Sequence, residues 1–496
     1  MSQSLFGFGS NGNGQLGIGS DEDSSIPQIV QFIPTLSSYS RQHHTQAHST
    51  RPPFHDFAAG GNHTIFITHG DRDLYMTGSN KDGELLLQEP AQVFTLHRFP
   101  IDLQTGDCQD SLLNKESEEK KHQRWRSVAC GWAFTIAVTE PESASKSDPV
   151  PGSRVKYLNK AYAWGSGAFG ELGLGSGLTK TNRRPIAIEK GLLSADAALS
   201  STMSPIRIEI MKVRAGLRHV LLLAQEKIFD GQEETSRTIL MGWGSNRQGQ
   251  LGVLERFADN TIPFTEKELR GKFMEPTRIL IAKEHPAIVD MACGQNHSLV
   301  LFSDGTVYSS GLNKYGQLGP CETLDQDTRD FRIGFKKVHN LPFVDSISCG
   351  WNHNAAMNSS SPHGKTTIYL WGRNDHGQLG SDNPLISVDV DLTGYSSFSR
   401  IVQLQIPKST SCHGSYEEIV SYSCGSEHTL AMTRSGDCYA WGWNEHGNCS
   451  RGNSEDDDRQ DVPSPRKVCF SNPTSARDPD WHGWVTGGYG SSWVWT

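Results

Sequence analysis

The chain has 496 residues, with 46 Lys+Arg against 55 Asp+Glu, a formal charge of −9, 35% hydrophobic residues and 50 glycines. The hydrophobic share can build a core, while the acidic balance and the lack of a Lys/Arg-rich tail argue against direct nucleic-acid binding. No apolar run approaches the ~18 residues of a membrane span, and the opening MSQSLFGFGS has neither the basic nor the apolar region of a signal peptide.

From the N-terminus onward one phrase returns every 60 to 90 residues, G-x-N-x-x-G-x-L-G, often preceded by Trp. Its seven copies begin at Gly7, Gly78, Gly165, Gly244, Gly311, Gly372 and Gly442. A second phrase lies between them, G-x-x-H before an apolar run, ending in His63, His219, His297, His353 and His428. Two further copies, from Gly131 and Gly487, lack the His. Runs of four or five apolar residues suit buried strands. Where Ser303-Asp-Gly305 or Arg434-Ser-Gly436 follows, and then TVYSSG or DCYAWG, the pattern is a hairpin.

One such unit cannot bury both faces, but seven arranged radially share a core. The pattern therefore predicts an all-β, seven-bladed β-propeller over 1–496 as one domain. The chain starts with a glycine phrase and ends with a G-x-x-H-type phrase, so N- and C-terminal strands are expected to close the ring in one blade. Repeats of ~50 residues leave a surplus, expected as loop insertions at about 108–124, 140–156, 190–205, 254–275, 322–336, 382–400 and 453–480.

The repeat also accounts for several motifs that resemble chemistry. Gly7-Phe-Gly9-Ser-Asn-Gly12 and Gly165-Ser-Gly167-Ala-Phe-Gly170 fit G-x-G-x-x-G, but turns follow where a dinucleotide site needs a helix. No cofactor is expected. The five histidines read as hydrogen-bonded turn residues, since equivalent positions around a propeller lie far apart and no ligand sits at metal spacing beside them. No metal site is expected. Ten cysteines form no C-x-x-C, and Cys130, Cys293, Cys349 and Cys424 share one repeat position, as small buried strand residues. A reduced, cytoplasmic location fits, with the nucleus left open. The sequons at Asn62 and Asn296 overlap the repeat and are discounted. Nothing resembles a nucleophile–base–orienter set, so no enzyme is expected.

The alternation of A-x-G-x-x-H with W-G-x-N-x-x-G-Q-L-G closely resembles the regulator of chromosome condensation repeat family over the whole chain. That resemblance implies a seven-bladed propeller whose terminal strands share a blade. Within the family, Cys424-Gly-Ser-Glu-His428, the phrase Trp441-Gly-Trp443-Asn-Glu445-His446-Gly-Asn-Cys449 and Gly487-Gly-Tyr-Gly-Ser-Ser-Trp493 are most similar to the fungal alpha-tubulin suppressor (killer-toxin-insensitivity) branch. The insertions depart from its compact yeast form. This implies a non-enzymatic protein that binds and regulates a small CSL-type zinc protein, an electron carrier, as a heterodimer. That pair serves diphthamide synthesis and Elongator-dependent modification of tRNA wobble uridines, with any Elongator contact indirect.

The alternative is a guanine-nucleotide exchange factor for a Ran-like small GTPase. The family's chromatin-bound founder carries a basic N-terminal tail and a β-wedge. This chain has no such tail, and nothing near Gly165 or Gly244 resembles the wedge.

Candidate partner-binding residues are Trp132, Trp351, Trp443, Glu445, His446 and Trp484. Aromatics with a polar edge are frequent interface anchors. The alternative is that several of these tryptophans, and Trp493 above all, fill blade cores. Glu445 and His446 sit at a turn and are expected to be exposed.

Overall fold

The computed structural model describes residues 4–32, 54–87, 92–98, 123–141, 155–181, 183–189, 206–230, 233–254, 265–281, 285–320, 330–359, 366–380, 401–407, 416–450, 460–470 and 483–496. They form seven sheets, six of four strands and one of six, as the seven-bladed propeller read from the repeats requires. The fourth blade shows the plan: Ile288–Cys293, His297–Phe302, Val307–Leu312 and Phe331–Lys337 pair antiparallel in chain order. The first strand of each blade lies innermost. The second, such as His297–Phe302, is buried along its whole length because both faces meet neighbouring blades. Such strands read as continuous apolar runs, not as alternation. The cores lie between sheets, as where Leu221 and Leu223 of the third blade meet Met291, Val300 and Phe302 of the fourth.

Ring closure follows the expected scheme. Leu5–Gly9 pairs with Ser491–Trp495, Leu5 opposite Trp495 and Gly9 opposite Ser491. Trp484–Gly487 flanks this pair on the inside and Ser24–Ile29 on the outside. Two strands from each end therefore make the seventh blade, and Trp493 and Trp495 are buried in it.

The expected insertions need correction in part. Lys272–Leu280 begins within 254–275, Phe331–Lys337 overlaps 322–336, and Val462–Lys467 lies within 453–480. The last two are outermost blade strands, and Lys272–Leu280 is covered on its outer side only by the two-residue strand Val253–Leu254. An outermost strand has one solvent edge, so FRIGFKK and VPSPRK carry the charges and prolines tolerated at sheet edges and read as loop. Residues 190–205 and 382–400, and most of 108–124 and 140–156, lie outside the described residues.

The two repeated phrases are physically one device. In the glycine phrase the Asn side chain closes its own loop: Asn374 Oδ1 accepts from Leu379 N at 2.9 Å and Asn246 Oδ1 from Leu251 N at 2.7 Å. The Leu of each Q-L-G is buried, as at Leu16, Leu251 and Leu318. The Trp that precedes the next copy docks on this loop, Trp441 Nε1 donating to Gln378 O at 2.9 Å and Trp243 Nε1 to Glu171 O at 2.7 Å. The histidines then bridge blades through their Nε2. His63 meets Thr135 Oγ1 (3.0 Å), His219 Ser298 Oγ (2.9 Å), His297 Asn354 Oδ1 (2.7 Å), His353 Thr429 Oγ1 (3.0 Å) and His428 Ser492 Oγ (2.9 Å). Thr429 Oγ1 in turn donates to Gln378 O at 2.9 Å, which returns the relay to the glycine phrase.

The Gly of G-x-x-H is needed because the imidazole lies flat on it. A Cβ at Gly425 would come within 2.5 Å of His428 Nδ1. Gly425→Ala is expected to cost about 1–3 kcal/mol, the usual range for overpacking, read as a lower urea midpoint at unchanged m-value. An unshifted midpoint would contradict this packing.

One element was not legible. In the third blade the second and third strands run from His219 to Asp230 and from Glu233 to Ser245, about twice the usual length. Val155–Tyr157 adds to this sheet in parallel beside Ile206–Ile208. The result is a protruding hairpin whose base is pinned by Glu226, fully buried and paired to Arg278 at 2.9 Å and to Arg237.

Candidate partner-binding face

Topology gathers both phrases on one rim. Each first strand ends, and each second strand begins, at its G-x-x-H turn. The third strand returns to the same end, Gly78 opposite His63 and Gly442 opposite His428. All G-x-x-H-type turns and glycine-phrase loops therefore share one face. The third-blade hairpin turns at the other.

At the centre of that face the turns hydrogen-bond to one another around the axis. Gly61 N donates to Gly131 O (3.2 Å), Gln295 N to Trp351 O (3.0 Å), Trp351 N to Ser426 O (2.8 Å) and Ser426 N to Gly488 O (2.9 Å). Beneath them Ala59, Cys130, Ala215, Cys293, Cys349, Cys424 and Gly487 line a narrow axial space of about 140 Å³. Burial pushes the Cys293 and Cys424 thiols up to about 12 and raises Cys130 and Cys349 as well. These thiols stay protonated and unreactive at neutral pH. Repeat positions on the axis must be small, which fits the reading of the four cysteines as packing residues.

Above this ring stands an aromatic hub. Trp132 is 48% exposed and lies over Gly61, which a side chain would fill. Tyr489 meets Trp132 edge-on at 6.2 Å between centroids and Trp351 at 5.4 Å. Burial raises the Tyr489 phenol well above its usual range, so it is neutral. The adjacent Gly490 lies against Trp443, whose ring would be 3.4 Å from a Cβ there. Trp443 packs edge-on against His446 at 5.2 Å, and His446 Nδ1 is 2.7 Å from Asp23 Oδ2. Glu445 is exposed beside them. Asn448 Nδ2 bonds Trp443 O and holds this loop, and Cys449 takes the buried position of the usual Leu.

The structure thus brings Trp132, Trp351, Trp443, Glu445 and His446 onto one face, with Trp132 and Trp351 joined through Tyr489 and Trp443 beside Gly490. Trp484 stands apart. It begins the innermost strand of the seventh blade, at the end away from the turns, and packs tilted against Phe54 (5.7 Å) and Phe57 (5.2 Å) between blades. Trp493 is core, as its apolar strand implied. Tyr489 was missed. Its signal was the Gly487-Gly-Tyr-Gly490 copy, where an aromatic replaces the Asn, Arg or Glu that most copies carry before their His.

Fold and face together define a closed seven-bladed propeller with an aromatic cluster at the centre of one face. Residues 4–492 match the RCC1-like domain family, and the chain belongs to it. It is 29% identical to the mouse secretion-regulating guanine nucleotide exchange factor, over 90% of this chain and 76% of that protein. It is 24% identical to an RCC1 repeat-containing protein of Schizosaccharomyces pombe, over 99% of this chain and 98% of that one. Among solved structures, Prp20p of Saccharomyces cerevisiae, described with its binding to Gsp1p and histones, superposes with a TM-score of 0.61 at 19% identity, covering 99% of this chain and 91% of Prp20p.

Proposed function

We propose that this chain is a non-catalytic docking propeller whose partner seats on the aromatic hub, and that the partner is a small CSL-type zinc protein serving diphthamide synthesis and Elongator-dependent wobble-uridine modification. The contact of Trp132 and Trp351 with Tyr489, with Trp443 beside the adjacent Gly490, carries the reading. The identity of the partner rests on the Trp441–Cys449 phrase and its likeness to the alpha-tubulin suppressor branch. An exposed Trp132 beside half-buried Trp351, Trp443 and Tyr489, ringed by polar turns, has the anatomy of a binding hot spot. The test is a titration with a small four-cysteine zinc protein. Trp132→Ala with Trp351→Ala, and separately Trp443→Ala with His446→Ala, are each expected to weaken binding about 30-fold, as loss of a hot spot does. Folded variants that bind like the parent would exclude this face. A parent chain that does not bind would exclude this partner.

A second reading, nucleotide exchange on a Ran-like GTPase, is favoured by one observation: relatives from mouse and cattle are named secretion-regulating exchange factors. It predicts faster release of labelled GDP from such a GTPase, lost when the 219–245 hairpin is shortened. Unchanged release would remove it.

A further inference from the structure

The docking face is electrically divided, and its positive sector is not explained by the fold. Phe169, in the loop of the third glycine phrase, is half-buried with three cations around its ring. Arg218 lies at 4.1 Å from the centroid, Lys272 at 4.6 Å and Arg247 at 5.1 Å. All three are exposed. Among the described residues none of them is ion-paired. Glu171 lies below, buried and accepting from Phe169 N at 2.6 Å; burial raises its pKa while Arg218 and Lys272 act against that rise, so one buried carboxylate faces three cations. Lys272 Nζ is held by Ala168 O at 3.1 Å. Beside Arg247 the cations continue into an open hollow of about 610 Å³ lined also by Lys267 and Arg270.

Bringing like charges together costs free energy unless something offsets the repulsion. Cation–π contact with Phe169 offsets part of it. The sector adjoins the hub directly, since Trp132 N donates to Leu217 O, the residue before Arg218, at 3.4 Å. The far side of the same face carries the opposite sign: Asp21, Glu22, Asp23 and Glu445 are exposed, and Arg373 there is already bound to Glu427 and Asp375.

We propose that the Arg218–Arg247–Lys272 sector receives an acidic polypeptide segment of the partner that seats on the hub, a reading that rests on the docking function above. Charge complementarity names the occupant. An extended nucleic acid would have to cross the acidic sector of the same face, and Phe169 is covered by cations and offers no free ring for base stacking. A short Asp/Glu-rich segment needs only the positive half and leaves the hub to the partner's apolar surface.

The experiment uses the full chain and a fluorescein-labelled Asp/Glu-rich peptide, with a Lys-substituted peptide and a single-stranded DNA oligonucleotide as comparators. The acidic peptide is expected to bind, weakening as salt rises, and R218E with R247E and K272E should reduce binding at least about tenfold at unchanged melting temperature. The milder R218Q, R247Q and K272Q set should give an intermediate loss. If the peptide binds and charge reversal abolishes it while Trp132→Ala with Trp351→Ala leaves it intact, the sector stands on its own even if the hub reading fails. Absence of peptide binding, binding indifferent to charge reversal, equal or tighter binding of the DNA, or self-association of the chain abolished by the same reversal would each overturn the proposal.

Discussion

Between pH 7 and pH 5 the protein is expected to lose most of its folding free energy, through the histidines that bridge its blades. His63, His219, His353 and His428 are pushed down to about 3, and His297 to about 4, in each case chiefly by burial. The hydrogen bonds agree with neutral rings. His297 Nε2 faces the Asn354 amide oxygen and must donate, and Thr429 and Ser492 spend their own protons on Gln378 O and Asn448 O. Each Nδ1 is buried and makes no hydrogen bond. Because the folded values lie below the unfolded ~6.5, the unfolded chain binds more protons as pH falls, and stability falls with it. The loss begins near pH 6.5 and continues down to the folded values. At pH 5 it amounts to about 2 kcal/mol per imidazole, on the order of 10 kcal/mol for five and comparable with the whole stability of a domain. Asp56 acts in a separate window. Burial raises its pKa, but Arg214 and the bonds from Val128 N and Ser127 outweigh this and hold it below 3.8, so its contribution is lost only at lower pH. Urea unfolding at pH 7, 6 and 5 checks the claim. The pH slope should correspond to about five protons taken up on unfolding, and a His→Gln substitution at any one bridge should remove about one. Equal unfolding free energies at pH 7 and pH 5 would refute it.

The same bridges show what the sequence could disclose. Blade number, ring closure and the phrase loops were legible because each is specified several times over, and a repeated Gly or His stands out against varying neighbours. The role of the His was legible only as a turn residue. That it reaches the next blade's second strand, and that the residue after each His is often Thr, Ser or Asn for that reason, depends on the radial stacking. The outermost strands were hidden because a solvent edge gives Phe331–Lys337 and Val462–Lys467 the composition of loops. The long third-blade hairpin was hidden because strand length leaves no period of its own. Five of the candidate site residues share a face because they belong to its turns and phrase loops. Trp484 does not, because it starts a strand rather than ending one, and its ring is drawn between Phe54 and Phe57. The cationic sector could not be read at all, since Phe169, Arg218, Arg247 and Lys272 come from two blades and meet only after folding.

Removing the last ten residues is expected to abolish cooperative folding, a larger effect than that of any single core substitution. The deleted segment contains Ser491–Trp495, the strand between Trp484–Gly487 and Leu5–Gly9. Without it the two halves of the seventh blade lose their only shared strand among the described residues, and both gain an unpaired edge. The side chains lost include Trp493, Val494 and Trp495, each buried, and truncation of a single buried Trp costs about 3–5 kcal/mol. His428 loses Ser492 as its acceptor, and Asn448 O loses the Ser492 hydroxyl, so one inter-blade relay is broken with its buried groups left in place. These losses together exceed the roughly 5–15 kcal/mol that hold a typical domain. The N-terminal strand must then separate or pair with another molecule, so the truncated chain is expected to aggregate, or to unfold gradually without a sharp transition. Trp493→Ala in the intact chain distinguishes loss of packing from loss of closure. It should lower the melting temperature while leaving one sharp transition, because Leu5–Gly9 keeps its backbone partner. A truncated chain that melts as sharply and as high as the intact one would show that the other six blades hold the ring without the strand exchange.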